Sequence, residues 1–149
     1  MKKTRDFLFA TLVFSVGVFV SVMFWSLWAI NRELIFPKIF DRFFPSWLNH
    51  NIHTVPLLGV LMESWITFHN FPTRRQGYIT IAFAIGISFL AFKTGVWVYP
   101  ILQKLSLIGR AAFMVGMAFL TILFYVLGEY ISCLFWGEEI RSIQMRKIH

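Results

Sequence analysis

Charged residues are scarce in this 149-residue chain, and their scarcity excludes several classes of protein. Only 14% of the residues are charged, although 14 basic residues against 7 acidic ones leave a net charge of +7. The basic residues lie in short stretches between apolar runs. A nucleic-acid-binding face needs a basic stripe on a folded soluble surface, so the charge pattern excludes nucleic acid as the expected partner.

Cysteine is also nearly absent, because Cys133 is the only one in the chain. A single cysteine excludes an internal disulfide framework. Cys133 lies within an apolar run, and we interpret it as a small buried hydrophobic residue rather than a reactive thiol.

Apolar residues, by contrast, are abundant. They make up 58% of the chain, with 18 Phe and 6 Trp among them. A soluble domain of this size has too little interior to bury so much apolar surface. Lipid is therefore the expected solvent for most of the chain.

Four apolar runs are long enough to be considered as membrane spans, for which a helix needs about 20 residues. They cover approximately residues 7–30, 52–70, 77–99 and 111–136. The first run, "FLFATLVFSVGVFVSVMFWSLWAI", is too long for a signal peptide and ends in tryptophans instead of a cleavage site. Lipid leaves no water for unpaired backbone groups, so each span should be helical. With no repeat or separate soluble segment, residues 1–149 are predicted to form one all-α, integral membrane helical bundle.

The charges between the runs predict the orientation of this bundle. One side carries eight basic residues: Lys2, Lys3, Arg5, Arg74, Arg75, Arg141, Arg146 and Lys147. The other side carries five: Arg32, Lys38, Arg42, Lys104 and Arg110. This difference predicts that both termini lie in the cytoplasm. The protein itself is expected in the plasma membrane or an endomembrane.

Four ionisable residues interrupt the apolar runs, namely His53, Glu63, Lys93 and Glu129. Such residues are costly in lipid and therefore candidate functional groups. Each also has a structural interpretation. Lys93 could extend to the membrane surface, Glu129 could pair with a basic group, and Glu63 could be protonated or pair with Lys93.

His53 is the strongest candidate for chemistry. On a helix that begins early enough, Asn49, His50, His53 and Leu57 share one face, so Asn49 or His50 could orient the His53 imidazole. Histidine is the commonest general base. The structural alternative is an interfacial histidine that only forms hydrogen bonds.

A metal site is the other alternative for these histidines. His50 and His53 could be two ligands, with Glu63 or His69 as further ones. The sequence has no supporting spacing such as HExxH. We therefore expect neither a metal nor a cofactor.

Six blocks of sequence carry a family resemblance that covers nearly the whole chain. They are "RDFLFATLVFSVGVFVSVMFW", "NRELIFPKIFD", "PSWLNHNIHT", "FPTRRQGY", "TGVWVYPILQKLSLIGRAAF" and "YVLGE". In this order they resemble the family of androgen-induced and androgen-dependent TFPI-regulating proteins. Its members resemble a six-helix bundle and include intramembrane hydrolases of fatty acid esters of hydroxy fatty acids.

The resemblance implies a nucleophilic threonine and a catalytic histidine on different helices, and His53 matches that histidine. Asn49 and His50 would support it. The segment "MKKTRDFLF" corresponds to the third family helix, and Thr4, Thr11 and Thr54 do not match the nucleophile. The resemblance therefore predicts a lipid-esterase segment whose nucleophile lies outside this chain. Membrane lipids and a fatty-acid ester are its expected partners.

The alternatives are a non-catalytic membrane regulator resembling the TFPI-regulating branch and, with less support, a transporter or channel component. Protein partners are not predicted.

Overall fold

The computed structural model describes residues 2–82 and 101–146, and every regular element in these two ranges is helical. The elements in chain order are α1 (Lys2–Leu8), a π-helical turn (Phe9–Val13), α2 (Phe14–Asn31), two 3₁₀ turns (Arg32–Leu34 and Lys38–Arg42), α3 (Ser46–His53), α4 (Val55–Ile66), α5 (described at residues 74–82), α6 (Ile101–Lys104) and α7 (Leu107–Arg146). The predicted all-α class is confirmed for the described residues.

Two of these helical stretches are long and apolar enough to cross a membrane, Lys2–Leu34 and Leu107–Ile143. They contain the first and fourth predicted spans. Within the N-terminal stretch, α2 ends at Asn31, where the backbone is extended and the Asn31 side chain accepts a hydrogen bond from the Glu33 amide at 3.0 Å. The C-terminal stretch changes direction at Trp136, whose backbone angles (φ −123°, ψ 25°) are not helical.

The second predicted span differs from the observed helices. The chain becomes helical at Ser46 rather than near residue 52, is interrupted at Thr54, and leaves the helix after Ile66, where Thr67 is extended. The interruption follows from Pro56, which has no amide hydrogen to bond to the preceding turn. Only residues 77–82 of the third predicted span belong to the described part of the chain, and these are helical.

The interior lies where α2 packs against α4 and α7. One cluster of buried side chains contains Phe9, Phe14, Val18, Val60 and Phe124. A second cluster, nearer the end of α2, contains Met23, Phe24, Leu27 and Ile35.

Two glycines permit the close approach of these helices. A Cβ atom on Gly17 would lie 2.9 Å from Val60 Cγ1 of α4, and one on Gly128 would lie 2.7 Å from Phe14 Cδ1. Small residues at such crossings are typical of helices that pack within membranes.

Much of the outer surface of α7 is apolar. Val115, Phe119 and Leu134 are largely exposed, and so is Cys133. The expectation that Cys133 is buried is therefore wrong, because α7 turns this position away from α2 and α4. A soluble monomer rarely exposes a continuous apolar face, whereas lipid would cover it.

Tyr125 joins α7 to the segment that precedes α5. Its side chain is fully buried, and its hydroxyl donates a hydrogen bond to the Pro72 carbonyl oxygen at 3.2 Å. Tyr125→Phe should lower the free energy of unfolding by about 1 kcal/mol, because one buried hydrogen bond is lost. Thermal unfolding in detergent measures the change. Tyr130→Phe, at a position 66% exposed on the same helix, is the control and should have no effect. Equal effects of both changes would contradict the role of the Pro72 contact.

Candidate functional site

The site is built on the α3–α4 junction, which lies against the end of α2. Thr54 separates the two helices, with φ −115° and ψ −45°, and its amide still donates to the His50 carbonyl oxygen at 2.7 Å. The chain therefore bends without losing this backbone hydrogen bond. His50, His53 and Thr54 all lie within one turn of the bend.

His53 is held by an aromatic ring of α2. Its imidazole stacks on Phe24, with ring centroids 3.6 Å apart and an interplanar angle of 3°. The Nδ1 atom of His53 is buried and has no hydrogen-bond partner among the described residues. Packing therefore holds the ring, and Nδ1 has no hydrogen bond within the described residues.

A cavity of about 460 Å³ opens beside His53. Its walls are mostly apolar and come from α2 and the α3–α4 junction: Ser21, Val22, Trp25, Ser26, Ala29, His53, Thr54 and Leu57. Its volume lies in the range of small-molecule binding sites. A histidine at the edge of such a cavity can exchange a proton with a bound molecule.

Asn49 and His50 lie on the neighbouring side of Trp25. They line a second cavity of about 490 Å³, together with Trp28, Phe36 and the Arg32–Asp41 ion pair. Asn49 is only 6% exposed, and its Oδ1 atom has no partner within the described ranges. Neither Asn49 nor His50 is hydrogen-bonded to His53 Nδ1. The contact that holds the His53 ring is its stack on Phe24. Of the predicted stripe, Leu57 shares the cavity of His53.

Thr54 connects His50 to α2. The Trp25 indole Nε1–H donates a hydrogen bond to Thr54 Oγ1 at 3.1 Å, and His50 Nδ1 also lies 3.1 Å from Thr54 Oγ1. The rings of Trp25 and His50 stack with centroids 5.1 Å apart. Phe24 and Trp25 thus hold His53 and His50, respectively.

Two of the threonine hydroxyls named in the sequence analysis, those of Thr11 and Thr54, are engaged elsewhere. Thr11 is fully buried, and its hydroxyl donates to the Phe7 carbonyl oxygen at 2.7 Å. Thr54 is bonded to Trp25 and His50. Neither hydroxyl is paired with His53.

A cluster of ionisable groups that the sequence did not predict ties α1 to the chain after α4. His69 is only 3% exposed, and its Nδ1 lies 3.2 Å from Asp6 Oδ1 while its Nε2 lies 3.0 Å from Glu63 Oε1. Phe9 stacks on the imidazole, with centroids 3.9 Å apart. Glu63 and His69 were recognisable as polar residues in an apolar run, but Asp6 is 63 residues away from His69 and gave no sequence signal.

The predicted pairing of Glu129 with a basic group is confirmed. Its carboxylate accepts a hydrogen bond from Arg74 Nε at 2.9 Å. This hydrogen bond raises the pKa of the Arg74 guanidinium above its ordinary value. The predicted pairing of Glu63 with Lys93 is not tested, because Lys93 lies outside the described residues.

Metal ligands are not assembled at His50 and His53. Within residues 2–82 and 101–146, no group of three or more His, Cys, Asp or Glu side chains could hold a metal ion. His50 Nδ1 instead faces Thr54, and His69 faces two carboxylates.

Known proteins resemble this chain over most of its length. The family described as "FAR-17a/AIG1-like protein" matches residues 1–133. The human androgen-dependent TFPI-regulating protein is 40% identical over an alignment of 148 residues, with 96% of this chain and 64% of that protein covered. The human androgen-induced gene 1 protein is 38% identical, with 96% and 62% covered. The TFPI-regulating protein of Mesocricetus auratus is 36% identical, with 97% and 64% covered.

The chain therefore spans slightly less than two thirds of these relatives. No solved structure matches it. Because the family match covers 133 of its 149 residues, the chain belongs to the FAR-17a/AIG1-like family.

Proposed function

We propose that this chain is part of a membrane-embedded hydrolase of fatty acid esters of hydroxy fatty acids, with His53 as general base. The observation that carries the proposal is the position of His53, whose ring is held flat on Phe24 and lines the apolar cavity between α2 and the α3–α4 junction. A general base must lie within hydrogen-bonding reach of the proton that it takes, and a histidine in the cavity wall meets this requirement.

The reaction is nucleophilic catalysis. His53 takes the proton of a hydroxyl, and the hydroxyl oxygen attacks the ester carbonyl carbon. The tetrahedral intermediate collapses, the leaving alcohol takes the proton from His53, and water then releases the acyl group by the same route. Thr11 and Thr54 are bonded elsewhere. We therefore assign the nucleophile to the helices that the family resemblance places ahead of this segment.

The cavity beside His53 suits a lipid ester. Val22, Ala29 and Leu57 give it apolar walls, and Ser21 and Ser26 add hydroxyls. With the two long apolar helices across the bilayer and both termini in the cytoplasm, substrate reaches His53 from the surrounding membrane lipids.

The test compares two proteins in cell membranes: the 149-residue chain, and a hybrid in which the preceding helices of the human TFPI-regulating protein are joined ahead of Met1. Both receive a palmitic acid ester of hydroxystearic acid, and the released hydroxy acid is measured. We expect hydrolysis by the hybrid alone. Equal hydrolysis by the short chain would contradict the assigned position of the nucleophile.

A second candidate function is a non-catalytic membrane regulator, and two relatives are named androgen-dependent TFPI-regulating protein. The observation that favours it is that neither Thr11 nor Thr54 pairs with His53. Absence of hydrolysis by both proteins would support this alternative over the hydrolase.

A further inference from the structure

The contacts of His69 require one more proton than its three ionisable groups hold as a neutral imidazole and two carboxylates. His69 Nδ1 lies 3.2 Å from Asp6 Oδ1, and His69 Nε2 lies 3.0 Å from Glu63 Oε1. An ionised carboxylate can only accept a hydrogen bond, and a neutral imidazole has a single N–H to donate. Without a further proton, one of the two contacts would place two acceptors against each other. Both contacts are hydrogen bonds only if the three groups share that proton.

Asp6 is not the group that carries the additional proton. Its Oδ1 atom accepts hydrogen bonds from Arg5 Nε at 3.0 Å and from Arg5 Nη2 at 2.7 Å. A guanidinium at this distance stabilises the ionised form of a carboxylate. Asp6 is therefore an acceptor toward His69, and His69 Nδ1 carries a proton.

The second contact is made either by an imidazolium or by a protonated Glu63, and three observations favour the imidazolium. The Glu63 side chain is 44% exposed, so water remains available to its carboxylate, and imidazole is a stronger base than a carboxylate. Phe9 stacks on the imidazole with ring centroids 3.9 Å apart, and the face of an aromatic ring attracts a cation. The His69 side chain is only 3% exposed, but carboxylates on both sides compensate its charge.

We propose that His69 is a proton-dependent latch, whose imidazolium joins Asp6 of α1 to Glu63 of α4. When Nε2 loses its proton, the lone pair of this nitrogen faces the Glu63 carboxylate and the two groups separate, while Nδ1–H stays bonded to Asp6. The charged groups that the described residues bring to His69 are Asp6, with Arg5 behind it on α1, and Glu63 on α4. The proposal does not rest on ester hydrolysis.

The latch lines a third cavity, of about 510 Å³, between the N-terminal helical stretch and α4. Arg5, Glu63 and His69 are the polar members of its wall, which is otherwise apolar and includes Val13 and Val60. Release of Glu63 therefore changes the wall of this cavity and removes one of the attachments between the N-terminal stretch and α4. A proton thus controls the shape of the cavity.

The direction of the pH dependence follows from the number of protons. The closed latch holds one proton more than a neutral histidine and two carboxylates in the unfolded chain. In the pH range where only the folded chain keeps this proton, the equilibrium constant for folding falls by up to about tenfold for each unit that the pH rises. At lower pH the unfolded histidine is protonated as well, and the latch adds no further dependence.

The proton is observed directly by nitrogen-15 NMR of the histidine-labelled 149-residue chain in detergent micelles. His69→Gln identifies the His69 signals by their loss. At pH 6 we expect an N–H signal from both ring nitrogens of His69, and as the pH is raised to 9 the Nε2–H signal should disappear before the Nδ1–H signal. A His69 ring with a single N–H at pH 6 would overturn the latch, since Glu63 would then hold the proton or make no hydrogen bond.

Glu63→Gln tests whether this proton stabilises the fold. A glutamine amide can donate or accept, so it can bond to either form of the imidazole, and the attachment loses its dependence on the proton. The midpoint of thermal unfolding, measured from pH 6 to pH 9, should fall less steeply for Glu63→Gln than for the unaltered chain. Glu138→Gln, which removes a carboxylate of α7 instead, should keep the original slope. Parallel profiles for the unaltered chain and Glu63→Gln would refute the latch.

Neither measurement involves an ester, so the two proposals fail separately. A pH-independent Glu63 contact would leave the hydrolase untouched. A hybrid without hydrolytic activity would leave the latch as the NMR and unfolding profiles find it.

Discussion

Replacement of His53 by alanine is expected to lower ester hydrolysis by the hybrid by about 10²- to 10⁴-fold, the usual contribution of a general base. The imidazole is the partner that would accept the nucleophile's proton, and a weak hydroxyl nucleophile depends on such a base. The change should not prevent folding, because His53 forms no hydrogen bond through Nδ1 within the described residues. Initial rates with the hydroxystearic acid ester measure the effect.

His53→Phe is the matched control for shape. A phenyl ring can keep the flat contact with Phe24, which lies 3.6 Å from the imidazole, but it cannot accept a proton. We expect it to insert and unfold like the unaltered protein and to be as inactive as the alanine variant. Hydrolysis at a normal rate by either variant would remove His53 from the mechanism.

Substitution of Gly128 by alanine is expected to destabilise the protein by about 1–3 kcal/mol, because the helices are in contact at this position. The added Cβ would lie 2.7 Å from Phe14 Cδ1 and 2.8 Å from Phe14 Cε1. Phe14 is fully buried among Phe9, Val18 and Phe124, so its ring has no space into which to move. The two helices would have to separate, and thermal unfolding in detergent should report a lower midpoint.

Gly116, on the same helix, provides the matched control. A Cβ there would have no atom within 4 Å among those described. Gly116→Ala should be neutral or stabilising by up to about 1 kcal/mol, since alanine favours the helix. If both alanine variants lose the same stability, backbone effects rather than the Phe14 contact explain the result.

The sequence predicted the first and fourth helical spans more accurately than the second, because apolar residues largely determine them. The runs at residues 7–30 and 111–136 fall within long helices, because each is long and predominantly apolar. The run at residues 52–70 was placed too late. Its helix begins in the polar segment Ser46–His53, which hydropathy does not detect, and the bend at Thr54 results from Pro56.

The site was predictable only in part, because the contacts of its residues depend on how the helices pack. His53 stood out as a histidine at the edge of an apolar run. The rings that stack on His53 and His50 are Phe24 and Trp25, respectively. Both are apolar residues in an apolar helix, and their contacts depend on how α2 packs against α3. Helical periodicity placed Asn49 and His50 near His53 but could not show that Thr54 would bind His50.

The contacts of the N-terminal helical stretch, Lys2–Leu34, with the segment from α3 to His69 also limit how the protein can move. At one end Asp6 and Glu63 enclose His69, in the middle Gly17 lies against Val60, and at the other end Trp25 binds Thr54. Shear, in which packed helices slide past each other, would break all three attachments together. Opening of the cavities is therefore restricted to hinge motion. The bond of the Trp136 indole to the Ser64 carbonyl oxygen, at 2.9 Å, adds an attachment between α7 and α4 at the point where α7 departs from helical geometry.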